Sequence, residues 1–233
     1  VLDARVSLAV SPAFAIDLGL FKAPFSAEFL TAAPSIDFVN RSQMVSALAP
    51  GRETGVAFRG DVSGIGYQLG AFNGNGRQGI MGNDDDNLLF AGRLSKRRTT
   101  SDGSWEVGAH GAFSDDPNRE RTLFGADARV TNGPWLVSAE VLGGEIALDG
   151  GAATDPLGYQ ATAGYMITPD RHQVLVRWDA LDLDDGTGNQ RFVVLGYNFW
   201  PTSAFEWQVN YLIPVQWGNV GDHQVLLNFQ AAF

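Results

Sequence analysis

An antiparallel transmembrane β-barrel is the fold class this sequence predicts, and three observations predict it. Apolar residues recur at every second position over about thirteen segments of roughly 10 to 12 residues. Soluble strands peak at about 5 to 6 residues, and a tilted membrane strand needs about 9 to 11. The connections between segments alternate between short turns and longer loops. The apolar face carries almost no charge, whereas the solvated face of a soluble sheet should carry Lys and Glu. No stretch approaches the roughly 18 to 20 apolar residues of a membrane-spanning helix.

Taken in order, the outward sets are Leu2/Ala4/Val6/Leu8/Val10, Phe14/Ile16/Leu18/Leu20, Val56/Phe58/Gly60/Val62, Tyr67/Leu69/Ala71 and Leu88/Phe90/Gly92/Leu94. Then come Trp105/Val107/Ala109/Gly111/Phe113, Phe124/Ala126/Ala128/Val130, Trp135/Val137/Ala139/Val141 and Tyr159/Ala161/Ala163/Tyr165. The last four are Val174/Val176/Trp178/Ala180, Val193/Leu195/Tyr197/Phe199, Phe205/Trp207/Val209/Tyr211/Ile213 and Val225/Leu227/Phe229/Ala231/Phe233. Each alternates with polar or small residues, which is the period of a strand and not of a helix.

Short connections fall at 11–13, 63–64, 132–134, 168–171 and 201–203, and longer ones at 23–52, 74–87, 114–121, 146–156, 183–189 and 216–221. In such barrels short turns face the periplasm and long loops the exterior. Aromatic residues gather at both strand ends, as two interfacial girdles require: Phe14, Trp105, Trp135, Tyr165, Trp200, Phe205 and Trp207 near the short turns, with Phe90, Phe113, Phe124, Tyr159 and Phe192 near the long loops. A single-chain bacterial barrel has an even strand number, so the odd count leads us to expect further N-terminal strands, strands from another chain, or a strand hidden in 23–52.

The 233 residues carry 16 Lys+Arg against 26 Asp+Glu, a net charge of −10, and no Cys. That balance argues against a nucleic-acid partner, and the lack of thiols excludes disulfides, Cys-ligated metals and thiolate catalysis. Asn83-Asp84-Asp85-Asp86-Asn87 lacks the ligand spacing and Gly of a calcium loop and reads as a solvated acidic tip. His110, His172 and His223 are too scattered for a metal site, Gly-x-Ser-x-Gly is absent, and neither a cofactor nor an enzymatic activity is expected.

The face opposite the apolar one carries Arg5, Arg59, Arg93, Arg97, Arg129 and Arg177 against Asp3, Asp17, Asp61, Glu106, Asp127, Glu140, Asp179 and Glu206. Residues i and i+2 share a face, so Asp3/Arg5, Arg59/Asp61, Asp127/Arg129 and Arg177/Asp179 are expected as ion pairs lining a polar lumen. Acids that at least balance bases predict weak or cationic selectivity.

Gly19-Leu20-Phe21-Lys22-Ala23-Pro24-Phe25 followed by Glu28 resembles the Gly-x-Phe-Lys-x-Pro-Phe…Glu segment of the phosphate-selective porin (O and P) family. So do Arg41-Ser42, Ala49-Pro50-Gly51-Arg52, Gly55, Gly60, Tyr67, Gly70 and Phe72-Asn73-Gly74-Asn75-Gly76, a dense match over 17–76. The resemblance implies a Gram-negative outer-membrane porin, by family habit a trimer of barrels with about sixteen strands and a long loop folded into the lumen. The segment 23–52, with Lys22, Glu28, Arg41 and Arg52, is the candidate for that constriction, an ordinary external loop with a short helix being the alternative. Phosphate selectivity does not carry over, because the family's selective members line the pore with many Arg and Lys and this chain has few Lys.

The expectation is therefore one barrel domain over 1–233 that passes ions and small hydrophilic solutes passively through a mixed-charge lumen. Its neighbours would be membrane lipid, lipopolysaccharide and further copies of itself. The alternative is a structural barrel, plugged or partner-filled, within a larger envelope assembly.

Overall fold

A computed structural model describes residues 3–77, 83, 86–116, 119–148, 151–187, 189–215 and 223–231. Thirteen strands appear among them: β1 (Ala4–Ser11), β2 (Phe14–Lys22), β3 (Arg52–Val62), β4 (Ile65–Phe72), β5 (Leu89–Thr99), β6 (Gly103–Asp116), β7 (Arg119–Asn132), β8 (Trp135–Leu148), β9 (Leu157–Thr168), β10 (His172–Asp182), β11 (Gln190–Thr202), β12 (Phe205–Pro214) and β13 (Gln224–Ala231). They form one sheet in which every strand hydrogen-bonds to its chain neighbours, and the pairings are antiparallel throughout. Among the described residues β1 and β13 are paired along one edge only.

The period-2 pattern sets the two faces. Val6, Leu8, Leu18, Leu69, Val137, Val176 and Leu227 all stand exposed on one side. So large an apolar surface on one face suits hydrocarbon and not water. Aromatics on the same face meet near the short turns, Trp135 edge-on to Tyr165 at 4.7 Å and Trp207 against Phe229 at 4.9 Å. Phe192 departs from the expected girdle, because its register partner is Asp179 and it packs with Phe38, Leu175 and Val194 on the inner face.

Two further expectations are corrected. Strands run from 8 residues in β1 to 14 in β6, β7 and β8, and the expected loop 114–121 is largely strand, since pairing continues to Asp116↔Arg119. Alternation alone could not show this, because Ser114, Asp115, Asp116, Arg119 and Glu120 are polar on both faces and read as loop. Asp84, Asp85 and Phe233 lie outside the described residues.

The segment between β2 and β3 holds α1 (Ala27–Leu30), a 3-10 turn (Ala33–Ser35) and α2 (Gln43–Leu48). Ser26 caps α1, its Oγ accepting from the Phe29 N–H at 3.0 Å. The Ala23 N–H donates to the Gly51 carbonyl at 3.1 Å and closes the base of the excursion. From there the segment lies against the polar face of the sheet.

Its apolar side explains why. Phe25, Met44, Val45 and Leu48 are buried with Phe72, Leu89, Leu123, Leu142 and Leu181, all inner-face positions of the wall. Burying a side chain of that size stabilises by roughly 1.5–3 kcal/mol. Small residues admit the closest contacts: a Cβ on Gly158 would stand 2.3 Å from the Met44 Cβ, and one on Gly196 would stand 2.9 Å from the Phe38 ring.

Candidate pore lining

The register brings the expected lining residues onto one face. Arg59, Gln68, Arg93 and His110 are successive cross-strand partners, and so are Asp127, Glu140, Gln160 and Asp179. A third row joins Arg97, Glu106, Arg129, Ser138, Thr162 and Arg177. Arg5 and Asp17 sit on β1 and β2 on the same side, linked Nη1 to Oδ2 at 3.7 Å.

Of the four same-strand ion pairs expected, one forms, Arg177 Nη2 to Asp179 Oδ2 at 3.3 Å. The others are replaced by pairs across strands or onto the loop. Arg59 Nε donates to Asp17 at 2.7 Å, Arg93 Nη2 donates to Asp127 at 2.6 Å, and Arg52 Nε donates to Asp3 at 2.8 Å. Arg129 grips Asp37 of the loop with both Nη atoms, at 2.6 and 2.9 Å, and Asp61 accepts from the Gly64 N–H of its own turn at 2.8 Å. Arg59 reaches Asp17 diagonally on the adjacent strand, whereas Arg93 of β5 reaches over Gly108 of β6 to Asp127 of β7, where a Cβ on Gly108 would stand 2.5 Å from Arg93 Nη2 and 2.7 Å from Asp127 Oδ2.

The wall then holds the loop by its main chain. Gln208 donates to the Ile36 carbonyl at 2.9 Å, Asn198 to the Asp37 carbonyl at 2.9 Å and Arg177 Nη1 to the Asn40 carbonyl at 3.1 Å. The Gln43 N–H points at both oxygens of Asp179, at 3.2 Å each. Arg177 also faces the Glu28 carboxylate at 3.4 Å and lies 4.5 Å over the Phe38 ring.

Within the loop, Lys22 Nζ donates to the Phe29 and Thr31 carbonyls at 2.5 and 2.8 Å. Arg41 joins it on Thr31 at 2.7 Å, so two cations neutralise the carbonyl end of α1. Glu28 accepts from Ser42 through N–H at 2.9 Å and Oγ at 2.5 Å. Burial pushes the Glu28 carboxyl above its usual range, with Arg177 and the Ser42 hydrogen bonds opposing.

These contacts sort the charges by exposure. Asp17, Asp127, Glu140 and Asp179 are buried, as are Arg93 and Arg177, while the side chains of Arg5, Arg59 and Arg129 keep 45, 36 and 45% of their surface. Among the described residues, two of the cavities between loop and wall lie against β1–β7. One is lined by Asp3, Arg5, Lys22, Leu30, Pro34 and Arg52, the other by Leu30, Thr31, Arg59, Glu106 and Arg129, and Gln68 borders both.

No local sequence signal marks Asp37, Asn198 or Gln208 as part of this contact, because each acts on a partner about a hundred or more residues away. Among the described residues no group of three or more His, Asp or Glu side chains is arranged to hold a metal ion.

No protein-family model matches the sequence, and no curated protein matches it either. Solved structures do match its fold. An "anion-selective porin from Comamonas acidovorans" aligns with a TM-score of 0.69 at 13% identity, over 98% of this chain and 73% of that one. The "outer-membrane expressed OmpT of Vibrio cholerae" aligns with a TM-score of 0.64 at 10% identity, over 91% of this chain and 70% of that one. The fold is that of an outer-membrane β-barrel. The polar face of the sheet is thus the inner face of the barrel wall, and the segment 23–52 lies on it.

Proposed function

We propose that this chain is a channel of the Gram-negative outer membrane, passing small hydrophilic solutes and ions passively and performing no chemistry. The observation that carries this reading is the space left between the loop and the wall. The loop's hydrogen bonds and ion pairs run to β7, β8 and β10–β12 and its apolar side packs on Phe72, Leu89, Leu123, Leu142 and Leu181, yet cavities lined by charged side chains remain against β1–β7 and again against β10–β12. A plug would be expected to fill that space.

We read 23–52 as the constriction and its side against β1–β7 as the passage. Arg5, Lys22, Arg52, Arg59 and Arg129 border that side, against Asp3, Asp61 and Glu106, with Asp17 buried between two arginines. Counting only what solvent reaches, bases outnumber acids there, which revises the expectation of weak or cationic selectivity towards a preference for small anions. That expectation counted Asp17, Asp127, Glu140 and Asp179 at full weight; all four are buried, although Asp17 and Asp127 still border these cavities.

Within the porins, the residues of 17–76 favour the phosphate-selective O and P group, and the outward small residues Ala126, Ala128, Ala161 and Ala163 suit the packing of further copies. Insertion of the purified protein into a planar bilayer should give discrete conductance steps. In a potassium chloride gradient the reversal potential should carry the sign of chloride preference. Absence of steps from folded protein would refute the channel reading, and the potassium sign would refute the charge reading.

A further inference from the structure

The apolar outer face of the wall carries two cations near its short turns. In the register of β5 with its neighbours, Leu94 pairs with Tyr67 and Ala109, Lys96 with Ile65 and Val107, and Arg98 with Trp105. All of these stand on the apolar face, so Lys96 and Arg98 project from the outside of the barrel, whereas Arg97 between them faces inward opposite Glu106. Both outward side chains are exposed, and among the described residues neither makes a hydrogen bond or an ion pair. The nearest acid in the sequence, Asp102 of the adjoining turn, accepts from Ser101 Oγ at 3.0 Å instead.

These cations lie where hydrocarbon gives way to water. Leu94 on the same strand and the cross-strand neighbours Ile65 and Val107 are exposed apolar side chains. Trp105 stands opposite Arg98, and a tryptophan there marks the headgroup level. Long basic side chains at that level keep their stems on apolar surface and their heads among polar groups. Short turns of such barrels face the periplasm, so the headgroups beside Lys96 and Arg98 belong to the periplasmic leaflet. At the far end of the same stretch of wall the sign is reversed. Asp115, Glu120 and Glu145 are the exposed outward charges near the long loops of β6–β8.

We propose that Lys96 and Arg98 form a binding site for an anionic phospholipid of the periplasmic leaflet. The headgroup phosphate lies between the two cations, which stand about 7 Å apart along the strand, and an acyl chain covers Ile65, Leu94 and Val107. A zwitterionic headgroup brings an ammonium of its own towards the two cations and gains less. The apolar side chains around Lys96 favour a lipid over an acidic protein segment, because one lipid molecule supplies both the anion and the cover. The site is on the outside of the wall and is read without any current, so it stands or falls separately from the channel reading.

The test is native mass spectrometry of the folded protein equilibrated in micelles that hold phosphatidylglycerol and phosphatidylcholine in equal amounts. One Lys or Arg near a membrane surface favours an anionic lipid by roughly fivefold. The wild type should therefore retain phosphatidylglycerol over phosphatidylcholine by about fivefold or more. Lys96→Gln combined with Arg98→Gln should bring the ratio close to one. Arg97→Gln, which removes a charge from the opposite face of the same strand, should leave the ratio as in the wild type. A wild-type ratio close to one overturns the proposal whether or not the variants fold. So does a preference that survives the double substitution or is lost equally in Arg97→Gln.

Discussion

Replacing Arg5 and Arg59 together by glutamate, with Asp17 changed to Asn in the same chain, should reverse the channel's ion preference. Both arginine side chains are partly exposed, at 45 and 36%, whereas the Asp17 they flank is 2% exposed. Changing Asp17 as well prevents three carboxylates from competing for one buried site, which would shift the protonation of all of them. At about 5 Å in a water-filled passage each unit charge acts on a passing ion with roughly 0.8 kcal/mol, or about fourfold in relative occupancy. Several such changes in one constriction exceed any weak preference set elsewhere, so the reversal potential should change sign and the effect should shrink as salt rises. An unchanged sign in low salt would mean that another part of the lumen selects.

Replacing Arg177 by methionine should release the loop. The guanidinium is 4% exposed and is the shared partner of Glu28, Asp179 and the Asn40 carbonyl, with Phe38 stacked on it. Methionine keeps much of the packing but leaves two acids in a buried setting without their cation. Breaking a buried pair from one side costs about 3–5 kcal/mol. The strands are held by their own ladders, so circular dichroism should keep its β signature. The loss falls on the loop, and conductance steps should become larger and noisier. Quiet steps of wild-type size would show that the amide contacts from Asn198 and Gln208 hold the loop unaided.

What could be read from the sequence follows from its periodicity. Alternation in runs such as Phe205 to Ile213 and Trp135 to Val141 places a strand and assigns its faces, because a period of two leaves no other option over ten residues. The same register put Arg59, Arg93, Asp127, Glu140 and Arg177 on one face without knowledge of any contact. Partner choice does not follow, since Asp127 pairs with Arg93, two strands away over Gly108, and not with Arg129 on its own strand. The resting place of the loop is also marked in the sequence. Leu88-Leu89-Phe90, Leu123-Phe124, Val141-Leu142 and Ala180-Leu181 are apolar on both faces, and their inner members are the leucines that bury Phe25, Met44 and Leu48. A polar lumen has no use for such residues unless something apolar covers them. Asp37 stayed invisible, because a single acid in an irregular segment carries no period.

As a channel, the protein must line a water-filled passage with its polar face and meet lipid with its apolar face. Because the chain has no Cys, one thiol can be placed at either of two neighbouring positions, Gln68 on the inner face beside both cavities or Leu69 on the outer face at 51% exposure. A charged, membrane-impermeant thiol reagent applied during single-channel recording should reduce the current through Gln68→Cys and leave Leu69→Cys unchanged. Block of Leu69→Cys with an inert Gln68→Cys would contradict the assignment of the two faces, and with it the channel.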